Sequence, residues 1–374
     1  MTTTLFGQFT WEVMPMGLKN SPAQFQRAMA EAVRDLPFVS CYIDDIIVFS
    51  KTVEEHEEHL RLVFERLRKT GMFIKESKMH LFKTSVNFLG HCISGKGVAP
   101  QQPKIKAVEE WPIPKNVSEV RSFLGLASFY RKFVFRFAAM ATPLHQLLKD
   151  KVEWEWGEEQ QKSFELLKAA LTSAPLLVLP DVEAAASGKA PYVVQTDASE
   201  GAWGAVLSQD QGQGPQPIAF ASKTFSPAET NYSATERELV GLVRATCYEW
   251  RHILWGTKYR LQGDHRPLQW LLDPSREISR RQARWLDVLG ENDVPTMEWV
   301  PGKTLVVADA LSRRADLLYQ VPSPRAGLRE SEKDLTVHEQ ERKQPVQDPA
   351  SSIVPSEPLK DPNYMIPMEL REAP

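Results

Sequence analysis

Around residue 120 the apolar positions fall at helical spacing. In VSEVRSFLGLASFYRKFV, Val120, Phe123, Leu124, Ala127 and Tyr130 line one stripe. EEQQKSFELLKAALTSAP repeats the pattern and is stopped by Pro175, so the stretch from roughly 95 to 180 is mostly helical. The region before it, to about residue 94, mixes elements. SPAQFQRAMAEAV reads as a helix with Pro22 near its start. VEEHEEHLRLVFERLRKTG is an amphipathic helix with acids at its front, bases at its back and Gly71 as its stop. Its His56 and His59 read as part of a solvated charged face. Between these helices lies CYIDDIIVFS, an apolar run broken by Asp44 and Asp45. Strand, two turn residues and strand make a hairpin, and aspartate suits a turn. Two adjacent carboxylates in an apolar setting also suit a metal site, and the pattern alone leaves both readings open.

From about 191 to 315 the spacing shifts to strands. YVVQTDAS, GAWGAVLSQ and QPIAFASKTF read as three strands on short turns, followed by one long helix, ATERELVGLVRATCYEWRHIL. Leu239, Leu242, Val243, Thr246 and Trp250 form the stripe of that helix. A strand (KYRLQG), helical pieces, a strand (TMEWV) and a final helix (VVADALSRR) complete the region. A meander followed by strand–helix alternation predicts a mixed sheet with helices packed on it. The whole chain is thus a multidomain protein of α+β and α/β class. DVEAAASGKA, residues 181–190, is small and reads as a flexible linker. Residues 316–374, rich in Pro, Glu, Ser, Gln and Lys, read as a disordered tail.

Composition narrows the class. With 42% hydrophobic and 25% charged residues, the chain has the balance of a soluble globular protein. No apolar run reaches the ~20 residues of a membrane span, and MTTTLFGQF lacks the pattern of a signal peptide. An intracellular protein, cytoplasmic or nuclear, is expected. The cysteines at 41, 92 and 247 are odd in number and far apart, which argues against a disulfide framework or a cysteine zinc site. A formal net charge of −3 does not advertise a nucleic-acid partner, but net charge conceals local patches.

Four acids stand out in the strand-rich region. Asp197 ends its first strand, Glu238 lies in the first turns of the long helix, Asp264 follows the fourth strand, and Asp309 opens the last helix. Neighbouring strands are ~4.8 Å apart, so acids at the ends of adjacent strands and on covering helices can converge. Carboxylates ~4 Å apart repel by roughly 4 kcal/mol in a partly dry site, and such a cluster calls for cations. Oxygen-only ligands favour Mg²⁺ or Mn²⁺. Two such ions ~4 Å apart are a device for phosphodiester displacement.

These residues also carry a resemblance. QTDASEGAWGAVLSQ, NYSATERELVGLV, GDHRPLQWLL and VPGKTLVVADALSRR closely resemble the ribonuclease H domain of gypsy-type LTR retrotransposon polyproteins. FTWEVMPMGLKNSPAQFQRAM, YIDDIIVFS and FLGHCISGKGV resemble the palm of the reverse transcriptase that precedes it, and VRSFLGLASFYRKFV resembles the joining segment. The likeness covers about residues 5–315, with the motifs in the family's order. It implies a partial palm at 1–94, a helical thumb or connection at 95–180, and a ribonuclease H-like five-stranded mixed sheet at 191–315. It further implies cleavage of the RNA strand of RNA–DNA hybrids with two Mg²⁺ or Mn²⁺ ions. Asp197 would bridge both metals, and Glu238, Asp264 and Asp309 would complete the ligand sets. Many cellular relatives carry a histidine in the loop before the last acid, and VPGKTLVVA has none.

For the palm, the resemblance implies that Asp44 and Asp45 bind metal and that Tyr42 lies near the primer terminus. The family's third carboxylate and its fingers lie upstream of FTWEVMPMGLKNSPAQF, so the polymerase site of the chain as given is expected to be incomplete. Expected partners are an RNA–DNA hybrid and a primer–template. Between 257 and 285, seven bases face three acids beside Trp270 and Trp285, and Arg280, Arg281 and Arg284 are candidate contacts to nucleic acid. In RSFLGLASFYRKFVFR the arginines are candidates to track a duplex, while the aromatics read as core. The rival expectation is a catalytically inert remnant that only binds nucleic acid. Within YSATEREL, Ser233 and Glu236 fit a capping box, which assigns the metal-binding role to Glu238.

Overall fold

The computed structural model describes residues 2–4, 6–10, 14, 17–150, 152–263, 278–290, 296–300 and 364–371. Asp264, Asp309 and the expected last helix lie outside these residues, as does most of the expected tail.

The chain opens with strands β1 (Thr2–Thr4) and β2 (Gly7–Phe9), then helix α1 (Ser21–Ala32), with proline in its first turn. Strands β3 (Val39–Tyr42) and β4 (Asp45–Ser50) form the expected hairpin. Helix α2 (Val53–Lys69) follows, capped by Thr52, whose side chain accepts from the Glu55 amide. Acids in its first turn and bases in its last complement the helix dipole. Met29, Ile46, Val48, Leu60, Val63 and Leu67 lock both helices onto the hairpin. His56 corrects the reading of a solvated face: it is fully buried. Its Nδ1 lies 3.0 Å from Ser50 Oγ, and His59, stacked on Phe38, reaches the same oxygen at 2.7 Å. Both rings therefore belong to the packed side of α2, and burial lowers the pKa of His56.

Strand β5 (Phe73–Ile74) precedes a three-stranded meander of β6 (Ser85–Phe88), β7 (His91–Ser94) and β8 (Gly97–Pro100). Helices α3 (Gln102–Glu109), α4 (Val117–Phe129), α5 (Phe137–Gln146) and α6 (Glu158–Thr172) make up the middle of the chain. The predicted stripe of α4 is its core face: Val120, Phe123, Leu124, Ala127 and Tyr130 are all buried. The expected linker is ordered. Asp181 caps helix α7 (Val182–Ser187) by accepting from the Ala184 amide, and Gly188 ends it in the left-handed conformation. Three consecutive alanines between a good cap and a C-terminal glycine suffice for a short helix, and buried Ala185 anchors it.

The last sheet contains β9 (Tyr192–Ala198), β10 (Ala202–Asp210), β11 (Pro215–Thr224), β12 (Tyr259–Gly263) and β13 (Thr296–Trp299), in the order β11-β10-β9-β12-β13. β9, β10 and β11 are antiparallel, while β12 runs parallel to β9 and β13 parallel to β12. This is the five-stranded mixed sheet expected from the pattern. Strand alternation divides its faces. Trp203, Ala205 and Leu207 of β10 pack toward helix α8 (Ala234–Val243). Gly241 of α8 makes this approach possible, since a Cβ there would stand 3.1 Å from Trp203 Cβ. Val206 and Phe220 on the other face join the core of the helical middle. That core is fastened to the sheet: Arg131 donates to the Ser222 carbonyl, and the Ala138 amide donates to Ser222 Oγ at 2.9 Å.

The predicted long helix is interrupted. After α8 the chain widens into a π-helical stretch, Arg244–Glu249, and then makes a short helix α9 (Arg251–Leu254). The amide of Trp250 bonds the carbonyl of Ala245 at 2.9 Å, five residues back. The expected stripe survives the interruption, because Leu239, Leu242, Val243, Thr246 and Trp250 are all buried. Helix α10 (Arg280–Gly290) packs near α8.

One expectation for the tail is corrected. Strand β14 (Tyr364–Arg371) pairs antiparallel with β4, in a register that sets Glu369 against Asp45, and with β5. The physical reason is the free edge of β4, whose unpaired amides and carbonyls accept another strand. YMIPMELR is a short apolar-rich segment that the composition of its polar surroundings conceals.

Candidate active sites

The hairpin carries the first pair of acids. Tyr42 pairs with Asp45 in register, so the turn consists of Ile43 and Asp44, and Asp45 is the first residue of β4. The expectation of a turn made of Asp44 and Asp45 is thus shifted by one residue. Ile43 has φ 52°, a left-handed conformation that a β-branched side chain disfavours. Helix α1 holds it there. The Gln26 side chain accepts from the Ile43 amide at 2.5 Å and donates to the Cys41 carbonyl at 3.2 Å. Burial raises the Asp45 pKa, the adjacent Asp44 charge adds to this, and Lys78 opposes it. Tyr42, 55% exposed, stands on the surface beside the pair.

The second pair lies at the end of the large sheet. Asp197, near the end of β9, is partly exposed. Glu238 sits on α8 and is 8% exposed, and its Oε1 accepts from the Ala198 amide at 3.0 Å. One backbone amide next to Asp197 thus fixes the second acid. The capping box sets the start of α8: Ser233 Oγ accepts from the Glu236 amide at 3.2 Å, and Glu236 accepts from the Ser233 amide at 3.1 Å. The register of the parallel pair sets Gln262 against Gln195, and their side chains bond at 2.9 Å. Gln262 also donates to Glu298 at 3.0 Å. Asp264 follows β12 by one residue and lies, like Asp309, outside the described residues. Among the described residues no group of three or more His, Cys, Asp or Glu is placed to hold a metal.

Arg280, Arg281 and Arg284 are exposed on α10. Arg281 is engaged within the protein, reaching Glu236 at 3.4 Å and lying over the Tyr232 ring at 4.3 Å. Trp285, a candidate aromatic of that stretch, packs on Tyr232 at 5.7 Å. Sequence reasoning passes over the roles of two side chains, Gln26 and Arg136. Arg136, from the turn before α5, makes an ion pair with Asp197. The arginines of this segment are expected to track a duplex, but Arg131 and Arg136 turn toward the sheet. No spacing rule links residue 26 to 43, or 136 to 197.

The described chain thus joins a hairpin bearing Tyr-x-Asp-Asp, through helices, to a 3-2-1-4-5 mixed sheet with two acids at its end, the arrangement of a reverse transcriptase palm followed by a ribonuclease H-like sheet. Residues 1–93 match the family described as reverse transcriptase (RNA-dependent DNA polymerase), and residues 188–291 match the RNase H-like domain found in reverse transcriptase. The chain belongs to the reverse transcriptase and ribonuclease H-like region of retrotransposon Pol polyproteins. It is 39% identical over 314 residues to the retrovirus-related Pol polyprotein from transposon 297 of Drosophila melanogaster, across 83% of this chain and 28% of that protein. To the transposon Tf2-3 polyprotein of Schizosaccharomyces pombe it is 34% identical over 324 residues, across 84% of this chain and 24% of that protein. The chain therefore spans about a quarter of the length of these relatives. Among solved structures it is similar to the foamy viral protease-reverse transcriptase in complex with RNA/DNA hybrid. The TM-score is 0.64 at 27% identity, covering 87% of this chain and 43% of that one. A form of the same viral protein in complex with double-stranded DNA gives a TM-score of 0.66 at 29% identity, covering 78% of this chain and 52% of that one.

Proposed function

We propose that the sheet-end site hydrolyses the RNA strand of RNA–DNA hybrids with two divalent cations. The observation that carries this reading is the junction of Asp197 and Glu238 through the Ala198 amide. The donor set fits Mg²⁺ or Mn²⁺, since both side chains offer only hard carboxylate oxygens. Asp197 and Glu238, with Asp264 and Asp309, would hold the ions. When bound, the ions polarise the scissile phosphate and make water a competent nucleophile near neutral pH. The chain's own part is positional. The Ala198 amide orients Glu238, and burial by α8 fixes that carboxylate before substrate arrives. Asp197, partly exposed, is the member of the pair within reach of a strand lying across the sheet end. Exposed Arg280 and Arg284 of α10 are proposed contacts to backbone phosphates, and Arg281 to a lesser degree because of its internal pairing.

In the same reading the hairpin acids Asp44 and Asp45 are cation ligands of a palm of polymerase ancestry, with Tyr42 beside the primer end; nucleotidyl transfer is not part of the proposed activity. The structures named as complexes with RNA/DNA hybrid and double-stranded DNA support nucleic acid as the partner class. The test is incubation of a labelled RNA–DNA hybrid with the protein and Mg²⁺. RNA cleavage that is lost on chelation is expected. Tight hybrid binding without any cleavage would replace this reading with that of an inert binding module.

A further inference from the structure

Arg136 is held in an unusual way. It is the residue before α5 and has φ 54° and ψ 25°, the left-handed region. Its guanidinium pairs with Asp197, yet the side chain remains 48% exposed. Its stem passes over Gly204, the residue opposite Asp197 in the β9–β10 register. A Cβ on Gly204 would lie 3.1 Å from Arg136 Cγ. The guanidinium also lies 5.5 Å from the Phe135 ring centroid. The backbone beside it is fastened by the Arg131 and Ala138 bonds to Ser222. The middle segment thus delivers a cation to the carboxylate on which the proposed reaction depends.

A guanidinium and a divalent cation compete for that carboxylate. Nucleic acid brings a third charge. A phosphate close enough to be cut at Asp197 lies within one side-chain swing of a group already paired with Asp197. The planar fork of arginine matches phosphate as well as it matches carboxylate. Its half-exposed state lets the side chain turn while the backbone stays fastened.

We propose that Arg136 is a counter-ion switch: it neutralises Asp197 in the free protein and moves onto a backbone phosphate when a nucleic-acid strand binds, releasing the carboxylate to a divalent cation. This rests on the reading of Asp197 as a cation ligand. Cation loading is then coupled to strand binding, and the coupling is reciprocal.

The experiment titrates the full chain with Mn²⁺, followed by electron paramagnetic resonance of the free ion, in a parent protein carrying Asp44→Asn and Asp45→Asn so that the hairpin offers no second cation site. It is run with and without a short RNA–DNA hybrid whose RNA strand is 2′-O-methylated and so resists cleavage. In this parent, taken as native at the sheet end, the hybrid is expected to tighten Mn²⁺ binding. In Arg136→Gln, Mn²⁺ binding to the free protein is expected to be roughly threefold tighter, the scale of a partly exposed ion pair. The gain on adding hybrid should shrink. The slope of log affinity for the hybrid against log salt should become shallower by about 0.9, one phosphate contact. Gly204→Ala, which crowds the stem but leaves the charge, should shift the free-protein affinity in the same direction by a smaller factor. Native Mn²⁺ affinity and salt slope in both variants, with Mn²⁺ binding lost in Asp197→Asn, would overturn the switch and leave the site reading intact. Native Mn²⁺ binding in Asp197→Asn would overturn the site reading itself.

Discussion

The two acid pairs rest on supports of opposite kind. Asp44 and Asp45 ride a two-residue turn whose strained Ile43 is held by one side chain from α1. Their geometry is local: two short strands, one turn and Gln26 define it. Asp197 and Glu238 are separated by 41 positions in the chain and meet because a sheet and a helix pack against each other. There the support is the buried face of α8 on β9 and β10. Each construction fails differently. A local turn is lost with a single bond, whereas a packed junction tolerates surface changes and fails when its own acid is changed.

The strongest way to break this contrast is Asp197→Asn. Loss of a cation ligand removes ~4 kcal/mol of transition-state stabilisation, which is roughly a thousandfold in rate. Hybrid cleavage should fall by about that factor while hybrid binding measured by fluorescence anisotropy persists. Cleavage at the native rate would exclude Asp197 from the site.

Next in size is Glu238→Gln. Cleavage should drop severely with little change in melting temperature, because the amide can still accept from Ala198. Glu236→Gln is its control and should leave cleavage near native, since glutamine also completes a capping box. The reverse outcome would exchange the roles of the two glutamates.

Gln26→Ala tests the other support. Removing the partner of the Ile43 amide and the Cys41 carbonyl should cost about 1–2 kcal/mol. In hydrogen exchange the Ile43 amide should lose protection first. If hybrid cleavage collapsed as well, the two sites would not be independently supported. The smallest effect is expected for Ser233→Ala, about 1 kcal/mol from loss of the cap, read from denaturant midpoints, with the site chemistry intact.

Much of this was legible in advance because it depends on period and local chemistry. The stripe of α4, the charge gradient and stop of α2, the Ser233–Glu236 box and the five strands of the large sheet all follow from residue type and spacing. The four candidate acids are named from strand ends and a helix front, and the structure ties one of them, Glu238, to the amide next to another, Asp197. What escaped detection was non-local or masked by composition. The pairing of Arg136 with Asp197 depends on how the helical middle docks, which no periodicity encodes. The segment before β9 misleads in the same way as the tail does: DVEAAASGKA looks flexible because small residues dominate it, although Asp181 and Gly188 bracket a short helix. His56 looks solvated because its sequence neighbours are charged, although its helical position faces the core.

The π-helical stretch at Arg244–Glu249 bears on how this region can change length. An α-helix turns by about 100° per residue, so removing one residue from α8 would rotate everything beyond it by about that angle. Trp250 and Leu254, now 3% and 2% exposed, would swing out of the core. The widened turn is different, because it already holds more residues than a regular turn does. Taking out Tyr248, which is 69% exposed, would let a regular helix cover the same span with Trp250 and Leu254 still facing inward. The irregular turn is therefore slack in an otherwise fixed register, the one place along this helix where the chain can shorten by a residue and keep its grip on the sheet.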